Sequence, residues 1–188
     1  MTDQPTATLG AADPTVPGSA APPAPLEDDR LTVMGLLAEA FTGLATRGAT
    51  QLSEHGVSPV EFEVLLRLAR SPLGLLRMTD LTAQTSLTNS GVTRVVDRLV
   101  ERGLVARQAC DTDRRATYAV VTDGGRALLA AILPEHVEFI ETWLLQPLRA
   151  EGDEELAAFL RGLRRVRDHV VPCATAGSDG PLPRAPVD

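Results

Sequence analysis

Between positions 89 and 94 the chain places Asn89, Ser90, Thr93 and Arg94. On a helix, spacings of one, four and five residues put these side chains on adjoining strips of one side. Such residues read base edges. Arginine and asparagine pair with purines in the major groove, and small hydroxyls let a helix come close. Further on, the turn DTDRR sets Arg114 and Arg115 beside Asp111 and Asp113. Arginine at a loop tip suits the narrow, strongly negative minor groove. Free aspartates there would repel phosphate, so their expected role is to pair with an arginine or cap the turn. Covalent catalysis has no comparable constellation: the chain has no nucleophile elbow, no phosphate loop and no His/carboxylate cluster. Thr122-Asp123-Gly124-Gly125 reads as a helix start. An enzyme is not expected, nor a cofactor.

The elements that must position these groups can be read from caps and periodicity. Asp28 or Asp29 can cap a first helix whose Leu31, Met34, Leu37, Phe41 and Leu44 recur every three or four residues. In SPVE, Ser58 is an N-cap, Pro59 takes the first helical position and Glu61 completes a capping box. The helix that follows should end near Arg70 and turn Phe62, Leu65, Leu66 and Ala69 inward. LLRM suggests a short strand, and Thr79 a cap for a third helix of about two turns. Thr88 opens a fourth helix with Val92, Val95, Val96, Leu99 and Val100 on one side, stopped at Gly103. A period-2 hairpin comes next. Thr122 caps a long fifth helix that Pro134 should kink. A sixth helix runs from about Gly152-Asp153 to just before Pro172.

Two short helices joined near Leu87 and followed by a hairpin make a helix-turn-helix with a β-wing. The expected fold is mainly α with a small β-wing, a winged helix-turn-helix joined to a helical dimerisation region drawn from both termini. The winged helix occupies about 58–121, and the dimerisation helices about 28–55 and 122–171. The apolar faces Leu31/Met34/Leu37/Phe41 and Leu156/Phe159/Leu163/Val166/Val170 exceed what about 70 winged-helix residues can cover, and a second copy would cover them.

At this point the sequence resembles a family. RMTDLTAQTSLTNSGVTRVVDRLVERGLVARQACDTDRRATYAVVTDGGRALL (77–129) is similar to the winged helix of MarR-family bacterial transcriptional regulators. Three pieces carry the likeness: SGVTRVVDRLVERGLV, DTDRR and VVTDGGRALL. With the flanking helices it extends over about 28–171. The resemblance implies a homodimer interlocked through its first, fifth and sixth helices, with two winged helices on a pseudo-palindromic operator and a repressor's role. It also implies that Asn89, Ser90, Thr93 and Arg94 touch bases, that Arg114 or Arg115 reaches the minor groove, and that Asp111 and Asp113 match the acids of the family's wing. Further implied is a small-molecule effector pocket, for which Arg47, His55, Arg67 and Trp143 are candidates.

Several residues admit two roles. Thr88 is a helix cap that can also touch DNA. Arg98 is either a phosphate contact or a structural partner of Asp111 or Asp113. Arg107 reads as a phosphate contact flanking the wing. Cys110 reads as a passive thiol, since no helix N-terminus stands near to lower its pKa. The alternative function is a winged helix used only for protein contacts, which would not need Arg94 and the wing arginines free.

Composition is compatible with this reading. Net charge is −7, but residues 1–29 carry five acids and no base, whereas 77–115 carry seven arginines against five acids. All 18 basic residues are arginine. Cys110 and Cys173 form no CxxC, and His55, His136 and His169 are scattered, so no metal site is expected. No apolar run approaches bilayer length and no signal-like N-terminus is present, which implies a cytoplasmic protein without a membrane partner. Proline-rich, weakly apolar ends predict disordered tails over 1–27 and 172–188.

Overall fold

A computed structural model describes residues 28–85, 87–109, 116–150 and 152–170. The predicted tails and the hairpin tip, 110–115, lie outside the described residues. The described residues fall into two compact units, divided between Phe41 and Thr42. Helix α1 (Asp29–Glu54) begins in the first and ends in the second. Asp28 caps it: its carboxylate accepts the Arg30 backbone N–H at 2.9 Å. In the single chain Leu31, Met34, Leu37 and Phe41 are all exposed, Phe41 by 71%.

The second unit holds the remaining elements. Helix α2 (Pro59–Arg70) starts with the predicted capping box, in which Ser58 Oγ accepts the Glu61 N–H and the Glu61 carboxylate accepts the Ser58 N–H. Phe62, Val64, Leu65 and Leu68 are its buried residues, while Leu66 and Ala69, expected inward, are half-buried. The predicted strand is β1 (Leu75–Arg77), and α3 (Met78–Gln84) follows at once. Thr79 is therefore not the cap. Arg77, held extended by strand pairing, occupies that position and makes no side-chain cap bond. Helix α4 (Asn89–Glu101) is capped by Thr88, whose Oγ1 accepts the Gly91 N–H at 3.2 Å. Val92, Val95, Val96 and Leu99 are buried, but Val100, expected with them, is exposed. It lies beyond the narrow stripe that α4 turns to the core.

Strands β2 (Val105–Ala109) and β3 (Thr117–Val121) form the hairpin, and the antiparallel sheet runs β1-β3-β2. Val105 pairs with Val121 and Ala109 with Thr117, while Leu75 pairs with Val120. Alternating burial holds for β3 only. In β2 Val105 alone is buried, so this strand leaves the core as it climbs. Thr122 caps α5 (Asp123–Ile140), accepting the Gly125 N–H at 3.1 Å. The helix runs through Pro134, and its regular bonding changes further on, in a π-helical turn at Glu141–Leu145 before α6 (Gln146–Arg149). Pro147 lacks the N–H that would serve the Trp143 carbonyl, and a wider turn absorbs such a defect. Helix α7 (Asp153–Val170) turns Leu156 inward and leaves Leu163, Val166 and Val170 exposed. The core gathers α2, α3, α4, the sheet and α5, with Leu52 from the end of α1.

Candidate nucleic-acid interface

Helix α4 is built to show one face. Four buried aliphatics anchor it, and Asn89, Ser90, Thr93, Arg94, Asp97 and Arg98 lie on the exposed side. Thr88 Oγ1 is 3.2 Å from Ser90 Oγ, and Thr93 Oγ1 donates to the Asn89 carbonyl at 2.9 Å. Both hydroxyls are thus held close to the helix. Among the described residues Arg94 has neither an ion pair nor a side-chain hydrogen bond. It can spend its whole donor fork on a ligand.

Its neighbours are engaged. Arg98 Nε donates to Glu61 Oε1 at 3.3 Å, and Arg102 Nη1 is 3.6 Å from Glu61 Oε2. Arg98 has its described partner in α2; Asp111 and Asp113 lie outside the described residues. The guanidinium is still 52% exposed, and the Glu61 side chain 9%. Burial pushes the Glu61 carboxyl up, but hydrogen bonds from Ser58 and Arg98 and the charge of Arg102 outweigh it, holding the pKa below the usual value. On the other flank Arg107 Nη2 donates to Asp97 Oδ1 at 2.7 Å, tying β2 to α4. The consecutive Asp97 and Arg98 thus fasten α4 to the wing and to α2.

The Glu61 site carries a pH prediction. A lowered carboxyl pKa stabilises the fold above the ordinary value of about 4.3 and ceases to do so as pH falls through the lowered one. Glu61→Gln should cost about 1–2 kcal/mol near neutral pH. In urea titrations that difference should shrink steadily below about pH 4.3. A pH-independent difference would show that the charge of Glu61 contributes nothing.

Next to α4 a hollow of about 280 Å³ is lined by Arg77, Met78, Thr79, Thr93, Arg107, Ala116 and Thr117. Arg77 Nε donates to the Tyr118 hydroxyl at 3.2 Å, with the guanidinium 5.6 Å from the ring centre. Sequence reasoning missed Arg77 and Tyr118 as a pair, because 41 positions separate them. It also read Glu61 as a cap alone.

The effector candidates separate. Arg47 lies over the Trp143 ring at 3.9 Å, and both line a cavity of about 410 Å³ between α1 and α5. Gln51, Glu54, Glu135, Glu138 and Phe139 line it too. His55 is bound to Glu135 at 2.9 Å, at the edge of this group. Arg67 is not part of it: it pairs with Glu63 one turn away on α2, at 2.8 Å. Arg114, Arg115, Asp111, Asp113 and Cys110 lie outside the described residues. No described helix is long and apolar enough to cross a membrane.

Helices α3 and α4 with the hairpin define a winged helix-turn-helix protein. Comparison with known proteins narrows the class. A MarR family sequence model matches residues 55–116. The HTH-type transcriptional regulator PecS of Dickeya dadantii is 32% identical, with 63% of this chain matched to 70% of PecS. The HTH-type transcriptional regulator MhqR of Bacillus subtilis is 28% identical over 75% of this chain and 93% of its own length. Among solved structures, the MarR-family regulator Sco3205 of Streptomyces coelicolor, crystallised in complex with DNA, superposes with a TM-score of 0.71 at 29% identity. That match covers 79% of this chain and 96% of Sco3205. The chain belongs to the MarR family of transcriptional regulators.

Proposed function

We propose that this protein is a homodimeric repressor that binds a pseudo-palindromic operator through α4 and the wing, and is released by a small molecule. The observation that carries DNA reading is the exposed strip of Asn89, Ser90, Thr93 and Arg94, with Arg94 unpaired among the described residues while Asp97 and Arg98 on the same helix are ion-paired. Arginine so placed can pair with guanine in the major groove. Arg98 and Arg107 contribute phosphate contacts within the limits of their ion pairs, and Arg114 or Arg115 reaches the minor groove.

Dimerisation is supported by the exposed apolar side chains of α1 and, separately, those of α7. Rows of this kind on a helix call for a covering partner, and an identical copy supplies one through an isologous contact. Two winged helices then meet half-sites one helical turn apart. The effector's place is the cavity under Arg47 and Trp143, which joins an aromatic wall to charged groups.

The test is selection of bound duplexes from a random library. The expected result is an inverted repeat, and sedimentation should give twice the chain mass. Recovery of no enriched sequence would defeat the operator reading. A monomer at micromolar concentration would defeat dimerisation.

A further inference from the structure

The cavity between α1 and α5 is acidic. Glu54, Glu135 and Glu138 line it, and Arg47 is the one arginine in the described lining. Glu135 is paired with His55, and Glu138 Oε1 accepts from Thr142 Oγ1 at 3.4 Å. Glu54 has no partner among the described residues. Glu135 is held below the ordinary carboxylate range, first by His55 and then by Gln51, so it stays an anion. Arg47 answers none of these acids. Its guanidinium lies 3.9 Å from the centre of the Trp143 ring and makes no ion pair among the described residues. A planar cation on an aromatic face, with carboxylates close by, is an arrangement that recognises cationic ligands.

Gln51 adds a second observation. It is 8% exposed. His136 Nδ1 lies 3.0 Å from its Oε1, which orients the amide, and its buried Nε2 makes no hydrogen bond of ordinary geometry. A buried donor left open in a cavity lining calls for an acceptor. Thr142 and Trp143 belong to the π-helical turn, and turns of that kind recur at functional sites.

We propose that this cavity takes a small aromatic cation bearing an oxygen acceptor, its charged head on the face of Trp143 that Arg47 covers and its oxygen at Gln51 Nε2. The inference rests on the effector reading above and deepens it by naming the ligand's charge. Three carboxylates oppose an aromatic anion, and the one arginine that could answer it is committed to the ring. A cation gains from the acids and replaces Arg47 on the ring.

Trp143 is the chain's one tryptophan, so its emission reports on the cavity directly. The experiment titrates the full chain with para-hydroxybenzamidine, para-hydroxybenzamide and para-hydroxybenzoate, which share a ring and a hydroxyl and differ in charge. The cation should give a saturable change at the lowest concentration. Arg47→Ala should tighten its binding by about 2- to 5-fold, since a competitor of cation–π strength leaves the ring. A misfolded variant would not bind more tightly. Glu54→Gln and Glu138→Gln should each weaken it by about 2- to 5-fold. Preference for the benzoate, with loss of its binding in Arg47→Ala, would make Arg47 an anion's counter-charge and overturn the proposal while the effector reading stands. Equal affinity for all three probes, or cation binding that Arg47→Ala fails to tighten, overturns it in the same way. Response to none of the three overturns both.

Discussion

Arg94→Ala should abolish sequence-selective DNA binding and leave the fold as stable as before. The guanidinium lies exposed on α4 without a described partner, so its removal breaks nothing within the chain. A surface change of this kind shifts stability by about 0.5 kcal/mol or less. On DNA the cost is larger. A bidentate arginine–guanine pair discriminates by about 1–3 kcal/mol, and a dimer would lose two of them. The summed loss of about 2–6 kcal/mol corresponds to a drop of roughly 30-fold to 10,000-fold or more on the selected operator. Arg98→Ala should cost less, because its guanidinium is already shared with Glu61. Titration of operator and scrambled duplexes checks this. An equal loss on both would make Arg94 a phosphate contact, and no loss on either would remove it from the interface.

Gly125→Ala should have the largest effect on folding. A Cβ there would lie 2.3 Å from the Leu104 carbonyl oxygen and 2.9 Å from Val121 Cγ2. The first of these is backbone and cannot turn aside. Leu104 precedes β2, and its oxygen also accepts the Thr122 N–H at 3.1 Å. Overpacking typically costs 1–3 kcal/mol, and an obstruction by main chain belongs at or above about 3 kcal/mol. Gly124→Ala is the control. Its Cβ would stand 3.3 Å from the Gly103 oxygen, a contact relieved by a small shift, and alanine gains up to about 1 kcal/mol of helix propensity over glycine. Thermal melting of the two variants should therefore diverge sharply. Similar melting would mean that α5 moves away from the wing base at little cost.

These two glycines show where sequence reasoning reaches its end. TDGG was legible as a helix start, since Thr122 and the Gly125 N–H it caps are three positions apart. That one glycine must be glycine while its neighbour need not be depends on the Leu104 carbonyl, which no local pattern contains. The same division separates Ser58, Thr88 and Thr122, expected as caps and found so, from Thr79, which strand pairing displaced from its role. It also separates the hydrophobic stripe of α4 from Val100 at its edge. The π-helical turn at 141–145, ahead of Pro147, had no signal in the local pattern.

By itself the sequence determined the order of the main elements, the caps at Asp28, Ser58, Thr88 and Thr122, the helix-turn-helix and hairpin, and the strip from Asn89 to Arg94. All of these are set by interactions spanning about four residues or by a repeating period, so they are written in adjacent letters. Tertiary structure decided which arginines remain available. Glu61 engages Arg98 across 37 positions, Asp97 holds Arg107 across ten, Tyr118 orients Arg77 across 41, and Arg47 meets Trp143 but not Arg67. An arginine reaches several partners with similar ease, and only the packed backbone sets which of them lies within hydrogen-bond distance.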